Sequence, residues 1–289
     1  MDLCDPRAVR ELLARHGFRF SKSKGQNFLT ASWVPRRIVE ESGIDNTCGA
    51  LEVGPGVGPL TKELCAAAGA VTAVEVDGSL RPVLAETMAE ADNLHLIFAD
   101  VMKLDVGELV QKHLSGLRPV ACANLPYYIT SPILTRLLES EAFSQVTVMV
   151  QKEVAQRICA RPGTADYSAF TVFCRYYADS KILFDVPPDC FLPRPKVTSS
   201  VLKLSVRGAP PCEIRDRDLF FRVVRAAFSQ RRKTLTNGLA SGFPELGKDR
   251  IRQILLRCGF PENVRGETLD LAQFAAVGDA IAAETPGSG

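Results

Sequence analysis

The sequence predicts a doubly wound, mostly parallel α/β sheet followed by a small all-helical C-terminal domain. Two observations carry the sheet. Five short apolar runs are almost uninterrupted, as strands buried on both faces are, and stretches of helical period lie between them. A third carries the division: after about residue 208 the apolar runs stop and only helical patterns follow.

The strands are expected at "ALEVG" (50–54), "VTAVEV" (71–76), "LHLIF" (94–98), "PVACA" (119–123) and "QVTVMV" (145–150), with amphipathic helices over 59–68, 79–90, 107–115 and 131–139. Two later β-rich runs, "KILFDV" (181–186) and "VTSSVLKLSV" (197–206), flank the proline-heavy "PPDCFLPRPK" (187–196) and suit an antiparallel pair at the sheet edge. The C-terminal helices are expected over 216–228, 231–240, 248–258 and 269–283, with "TPGSG" as a tail. The predicted domains are therefore residues 1–207 and 208–289.

A chain of 289 residues, 46% hydrophobic and 24% charged, has material for a large core and is not of disordered composition. No apolar run approaches the roughly 18 residues that span a bilayer, and the N-terminus shows no secretory h-region, so a cytoplasmic location is expected. The nine cysteines are scattered and never spaced Cys-x-x-Cys, and the three histidines lie in unrelated segments, which suggests reduced thiols and no metal site. The net charge of +2 conceals an asymmetry: residues 50–189 carry 11 Lys/Arg against 17 Asp/Glu, while residues 1–49 carry 8 against 6 and residues 190–289 carry 16 against 10. Basic ends around an acidic middle suit a polyanionic partner held by the flanks.

In an open α/β sheet, ligands bind beyond the carboxyl ends of the strands. The first end reads "EVGPGVGPLT" (52–61), where Gly54, Gly56 and Gly58 allow a sharp turn with close backbone approach, and the following helix offers free N–H groups to an anion. The second ends in "VEVD", placing Glu75 21 positions after Gly54, where an acid accepts from both hydroxyls of an adenosine ribose. The third leads to "FADVMKLD", where Asp100 is placed to accept from an adenine amine. Together these ends predict an adenosine-containing ligand. The spacing Gly-x-Gly-x-Gly after Glu52 departs from the dinucleotide fingerprint Gly-x-Gly-x-x-Gly, and no second phosphate-binding turn follows, so S-adenosyl-L-methionine fits better than NAD.

With "KSKGQNFL" (22–29), "NLPYY" (124–128), "QKEVAQRI" (151–158), "FLPRPKVTSSV" (191–201) and "AFSQRRKTLTNGL" (227–239) added, the chain resembles the ribosomal small-subunit adenine N6,N6-dimethyltransferases, relatives of the erythromycin-resistance methylases. The resemblance covers nearly the whole chain. It implies a Rossmann-like S-adenosylmethionine-dependent methyltransferase sheet, a C-terminal domain that binds rRNA, and cofactor contacts from Asn27, Leu29, Gly54, Gly56, Glu75, Asp100 and Asn124. The implied substrate is two adjacent adenosines near the 3′ end of 16S rRNA in an assembling 30S particle, with the enzyme a monomer. Phosphates would be gripped by Lys22, Lys24, Arg36, Arg37, Arg194, Lys196, Arg231, Arg232 and Lys233. One departure is Ser168, in "ADYSAF", where glycine is expected.

Catalysis would centre on Asn124, Leu125, Pro126 and Tyr127. An adenine N6 amine is a poor nucleophile until its nitrogen becomes more tetrahedral, and two acceptors aimed at its N–H bonds favour that geometry. The Asn124 side-chain oxygen and the main-chain carbonyl of Leu125 or Pro126 are the expected acceptors. Tyr127 would stack on an adenine drawn out of its own stack, with Phe191 as the opposite wall. No metal is required. The alternatives are a large-subunit methylase of the erythromycin-resistance type, an assembly factor that binds RNA with little catalysis, a transcription factor like the mitochondrial relatives and, more distantly, an NAD oxidoreductase.

Overall fold

All five apolar runs form parallel strands, and their order places a crevice at the expected end of the sheet. The computed structural model describes residues 1–18, 27–230 and 232–284, so Lys22, Lys24 and Arg231 lie outside the described residues. The chain divides into two compact units, residues 1–155 with 179–206, and residues 156–178 with 207–289.

In the first unit, α1 (Pro6–Arg15), β1 (Phe28–Leu29) and α2 (Trp33–Ser42) precede the alternating core. That core runs β2 (Cys48–Val53), α3 (Pro59–Ala67), β3 (Ala70–Glu75), α4 (Arg81–Thr87), β4 (Leu94–Phe98), α5 (Val106–His113), β5 (Arg118–Asn124), α6 (Thr130–Glu139) and β6 (Gln145–Gln151). Local chemistry sets several boundaries. Asp5 and Asp105 accept from backbone amides at the starts of α1 and α5, Pro59 opens α3 where its missing N–H costs nothing, and Gly43 ends α2 in the left-handed region. The helix expected over 79–90 is shorter, because Asp77 first caps a 3₁₀ turn over Gly78–Leu80.

After α7 (Lys152–Cys159) and α8 (Ala169–Tyr177) come β7 (Ala178–Val186), β8 (Phe191–Leu192) and β9 (Ser199–Val206). The seven-stranded sheet has the order β4-β3-β2-β5-β6-β9-β7. β2 pairs in parallel with both β3 and β5, β3 with β4, and β5 with β6, whereas β9 runs antiparallel to β6. The chain winds outward from β2 in one direction and from β5 in the other, so the crevice beyond these two strands is the switch point. β4 is less buried than its apolar sequence suggests because it is an edge strand; the Arg81 guanidinium lies 4.1 Å from the centre of the Phe98 ring. One core, on the side of α2 and α3, joins Val34, Ile38, Leu60 and Leu64 to Ala50, Val120 and Met149, and a second joins α1 and α4 through Leu12, Leu13, Val83 and Leu84.

The second unit is helical: the end of α7, then α8, α9 (Arg217–Ser229), α10 (Leu235–Gly242), α11 (Gly247–Arg257) and α12 (Leu271–Ala282). Its core gathers Phe220, Val224, Leu239, Phe243, Ile254 and Phe274, and includes Tyr167 and Val172 from around α8. The continuous division at residue 207 therefore differs from the structure: 156–178 fold with the C-terminal helices because α8 buries its apolar face there, and the Tyr167 hydroxyl donates to the Leu269 carbonyl at 2.9 Å. Ser168 has a local reason. It caps α8 in a reciprocal box with Thr171, a place serine fills at least as well as glycine. The helix expected from residue 231 begins only at Leu235, after a turn in which the Lys233 amide bonds the Gln230 carbonyl.

Candidate functional site

Four strand ends and one distant segment build a single cavity inside the first unit. It is lined by Asn27–Leu29, by Glu52–Gly56 at the end of β2, by Glu75 and Val76 at the end of β3, by Ala99–Val101 after β4 and by Asn124–Ile129 at the end of β5. All the expected cofactor residues, Asn27, Leu29, Gly54, Gly56, Glu75, Asp100 and Asn124, meet there.

The glycine turn is fixed by backbone geometry. Gly54, Gly56 and Gly58 have φ of 74°, 62° and 96°, in the left-handed region. At Gly54 nothing lies within 4 Å of where a Cβ would stand, whereas at Gly56 the Phe28 ring comes within 3.0 Å of it. Gly54 thus leaves an open cradle, and Gly56 lets Phe28 close over the turn.

Glu75 is held rigidly. Its two carboxylate oxygens accept from the Asp77 amide at 2.8 Å and the Gly56 amide at 3.2 Å. Burial raises its pKa, and those same amides pull it down. Each oxygen keeps a further lone pair for a ligand. Asp100 caps the 3₁₀ turn Val101–Lys103 by accepting from the Met102 amide at 3.0 Å with Oδ1, leaving Oδ2 for another donor.

The Asn124 turn is equally specific. The Asn124 Nδ2 donates to the Asn27 carbonyl at 3.2 Å, which directs Oδ1 elsewhere. The Pro126 carbonyl accepts from the Ile129 amide and from the Thr130 hydroxyl, both at 3.2 Å, so its lone pairs are engaged. Of the two carbonyls expected as acceptors, Leu125's is the one left. The Tyr127 hydroxyl meets the Ser199 hydroxyl at 2.6 Å, and burial raises the phenol's pKa.

Phe191 is placed differently. It is 4% exposed, packs in the core and pairs with Leu29 across the antiparallel β1–β8 ladder; it is not among the cavity-lining residues. The exposed aromatic at the mouth is Tyr128, 62% exposed. The ladder brings the "NFL" and "FLPRP" segments together, a pairing of two residues on each side that periodicity cannot register.

Glu52 also lines the cavity, and sequence reasoning gave it no role beyond its place before the glycines. Three carboxyl groups, Glu52, Glu75 and Asp100, face this space, and among the described residues no Lys, Arg or His lines it.

Among the basic flanks, Arg36 pairs with Glu63 at 3.5 Å and Arg37 with Glu41 at 2.6 Å, with the Arg37 guanidinium 4.2 Å from the centre of the Phe184 ring. Arg194, Lys196, Arg232 and Lys233 are exposed and make no ion pair among the described residues. Among those residues there is also no group of three or more His, Cys, Asp or Glu able to hold a metal, no helix long and apolar enough to cross a membrane, and no disulfide.

Comparison with known proteins identifies the family. Residues 17–276 match the family described as ribosomal RNA adenine dimethylase. The chain is 43% identical over 285 residues to ribosomal RNA small subunit methyltransferase A of Geobacillus thermodenitrificans, covering 97% of each chain. It is 42% identical over 288 residues to the protein of the same name from Streptococcus gordonii, covering 98% of this chain and 99% of that one. In fold it is similar to a dimethyladenosine transferase from Plasmodium falciparum, with a TM-score of 0.73 and 23% identity over 86% of this chain and 95% of that one. A match over nearly the whole length, to relatives above 40% identity, places the chain in the ribosomal RNA adenine dimethylase family.

Proposed function

We propose that this protein transfers methyl groups from S-adenosylmethionine to the N6 amines of two adjacent adenosines near the 3′ end of small-subunit rRNA, within an assembling subunit. It is an rRNA adenine dimethyltransferase, and the cavity beyond β2–β5 is its cofactor site. The observation that carries the reading is the electrostatics of that cavity: three carboxyl groups and, among the described residues, no basic side chain. Such a site suits a ligand with cationic centres better than the pyrophosphate of a dinucleotide. The Gly54 cradle and the paired oxygens of Glu75 fit a nucleoside lying close against the turn.

S-adenosylmethionine supplies an electrophilic methyl group on a sulfonium sulfur, open to direct displacement. The protein's part is placement. Glu75 accepts from the ribose hydroxyls and Asp100 from the cofactor's adenine amine. The Asn124 Oδ1 and the Leu125 carbonyl accept from the N–H bonds of the target amine, favouring the tetrahedral nitrogen as charge develops. The Tyr127 ring, tethered through its hydroxyl to Ser199, provides the face on which an unstacked adenine rests. Dimethylation needs two such transfers at each nitrogen, with the first product still fitting between the acceptors.

The exposed Arg194, Lys196, Arg232 and Lys233 would grip rRNA phosphates, and the helical unit would carry part of that contact. A monomeric, cytoplasmic enzyme acting on the subunit precursor is the simplest form of this reading. Mapping methylated adenines after incubation with undermodified small subunits and S-adenosylmethionine is the test. Two dimethylated neighbours in 16S rRNA are expected, whereas modification of 23S rRNA alone would favour the large-subunit alternative.

A further inference from the structure

We propose that Tyr128 is a platform for the base next to the target adenine, so that the site takes up two neighbouring bases rather than one. The inference deepens the function proposed above and rests on it. Tyr127 already has a place in that reading, whereas the second tyrosine of the "NLPYY" turn has none. At 62% exposure Tyr128 is the most exposed large apolar side chain among the described residues, and it lines the mouth of the cavity. Among those residues its ring and hydroxyl have no aromatic, ionic or hydrogen-bonding partner. Exposed apolar side chains are common on any surface, and most need no explanation. Tyr128 differs in standing at a ligand cavity on a backbone that is held still. The 3₁₀ turn Tyr127–Ile129 is entered through Pro126, with φ of −60°, and is closed by the Ile129 amide and the Thr130 hydroxyl on the Pro126 carbonyl.

Successive side chains on a 3₁₀ turn point about 120° apart. With the Tyr127 hydroxyl directed to Ser199, the Tyr128 ring therefore offers a second, separate surface on the solvent side. Docking a flat ligand on it costs only the freedom of two side-chain torsions. The reaction identifies that ligand. Drawing one adenine out of its stack leaves the base beside it with a bare face. In a single strand an aromatic side chain covers such a face by stacking, whatever the base. A tyrosine suits the place, since its ring is apolar and its hydroxyl can stay in water. The phosphate joining the two nucleotides is a poorer occupant of this mouth, because the cavity behind it carries carboxyl groups and, among the described residues, no Lys, Arg or His. Contact beside the target thus falls to the neutral face of a base.

The test uses the full-length protein and small subunits reconstituted with rRNA whose 3′ segment is synthetic, either intact or lacking the base on the 5′ or the 3′ side of a target adenosine. Single-turnover methylation of that adenosine is measured below saturation. On intact subunits Tyr128→Ala should be about ten-fold slower than wild type, the loss of one stacked base, and Tyr128→Phe close to wild type. Removing one of the two flanking bases should slow wild type by a similar factor and leave Tyr128→Ala almost unchanged, because the same stack is lost. A wild-type measurement stands independently of the variants: 2-aminopurine in place of that base should lose fluorescence when the protein binds. An unchanged rate in Tyr128→Ala, or losses that add for both flanking bases, would overturn the platform. So would a fall in S-adenosylmethionine affinity large enough to account for the slower rate, since Tyr128 would then serve the cofactor. Failure of wild type to methylate intact subunits would instead remove the proposed function itself.

Discussion

The side-chain amide of Asn124 donates to the main-chain carbonyl of Asn27, tying the end of β5 to a segment 97 residues earlier. This bond engages the amide nitrogen and leaves the oxygen as the end free to accept. In the proposed mechanism a target amine needs an acceptor at that point, and the Asn27 contact would set the polarity of the turn.

Replacing Asn124 by alanine removes the acceptor and should lower single-turnover methylation by about 10²–10³, the usual loss of one preorganised polar contact in a transition state. Asn124→Asp keeps an oxygen but cannot donate to Asn27, and should fall between the two. Subunit binding, followed by co-sedimentation, should survive in both. A near wild-type rate in Asn124→Ala would remove the acceptor mechanism.

Much of this site is legible in the sequence because strand ends are local features. The apolar runs locate β2, β3, β4 and β5, and Gly54, Glu75, Asp100 and Asn124 follow directly from them. What the sequence leaves hidden depends on contacts between distant segments. The β1–β8 ladder has two residues on each side, too short to show a period, so the burial of Phe191 beside Leu29 is not foreseeable. α8 is sequence-adjacent to the sheet but buries its apolar face with α9 and α12, and periodicity says only that such a face exists. The choice of Leu125 over Pro126 rests on the Thr130 hydroxyl bonding back one turn, a detail of side-chain rotamer. Glu52 reads as one acid in a strand until its burial is known.

Glu75 and Asp100 should separate in their effects on cofactor binding. Glu75→Ala loses the ribose acceptors and leaves the Gly56 and Asp77 amides without their partner, so binding should weaken by about 1.5–3 kcal/mol. Asp100→Asn preserves the cap if its oxygen faces the Met102 amide, but presents a donor to the adenine amine and should weaken binding by about 1 kcal/mol. Calorimetry giving wild-type affinity for Glu75→Ala would remove the ribose assignment.

The Glu52 carboxyl should leave a mark on the stability of the ligand-free protein. Unfolded, a glutamate titrates near 4.3; folded, Glu52 titrates at about 8. Between those values the native state holds a proton that the unfolded state has released, so stability falls as pH rises through this window and levels off above it. Glu75, also raised, adds to the same trend. Melting temperature measured from pH 5 to pH 8.5 should decline, and decline less in Glu52→Gln. Parallel curves for the two proteins would mean that Glu52 is ionised in the folded state.

Tyr127 and Ser199 form one unit, and their substitutions should show it. Tyr127→Ala loses the stacking surface, worth about 1–3 kcal/mol per base, and most activity with it. Tyr127→Phe keeps the ring but leaves the Ser199 hydroxyl, on a fully buried residue, without this partner. Ser199→Ala removes the other half. Each should cut the rate several-fold, and the double substitution should cost little more than either alone, because the same hydrogen bond is being removed. Fully additive losses would show that the tether does not position the ring.

The basic flanks are testable through salt. If the four exposed cations Arg194, Lys196, Arg232 and Lys233 neutralise phosphates, replacing them with glutamine should flatten the plot of log affinity for small subunits against log salt. The slope should change by roughly 0.7–0.9 for each phosphate no longer neutralised. Arg36 and Arg37 already face Glu63 and Glu41, so their replacement should change the slope less. S-adenosylmethionine affinity should stay at the wild-type value in both variants, since none of these residues lines the cavity. An unchanged slope in the four-fold variant would return these side chains to the role of solvated surface and place the rRNA-binding surface elsewhere on the protein.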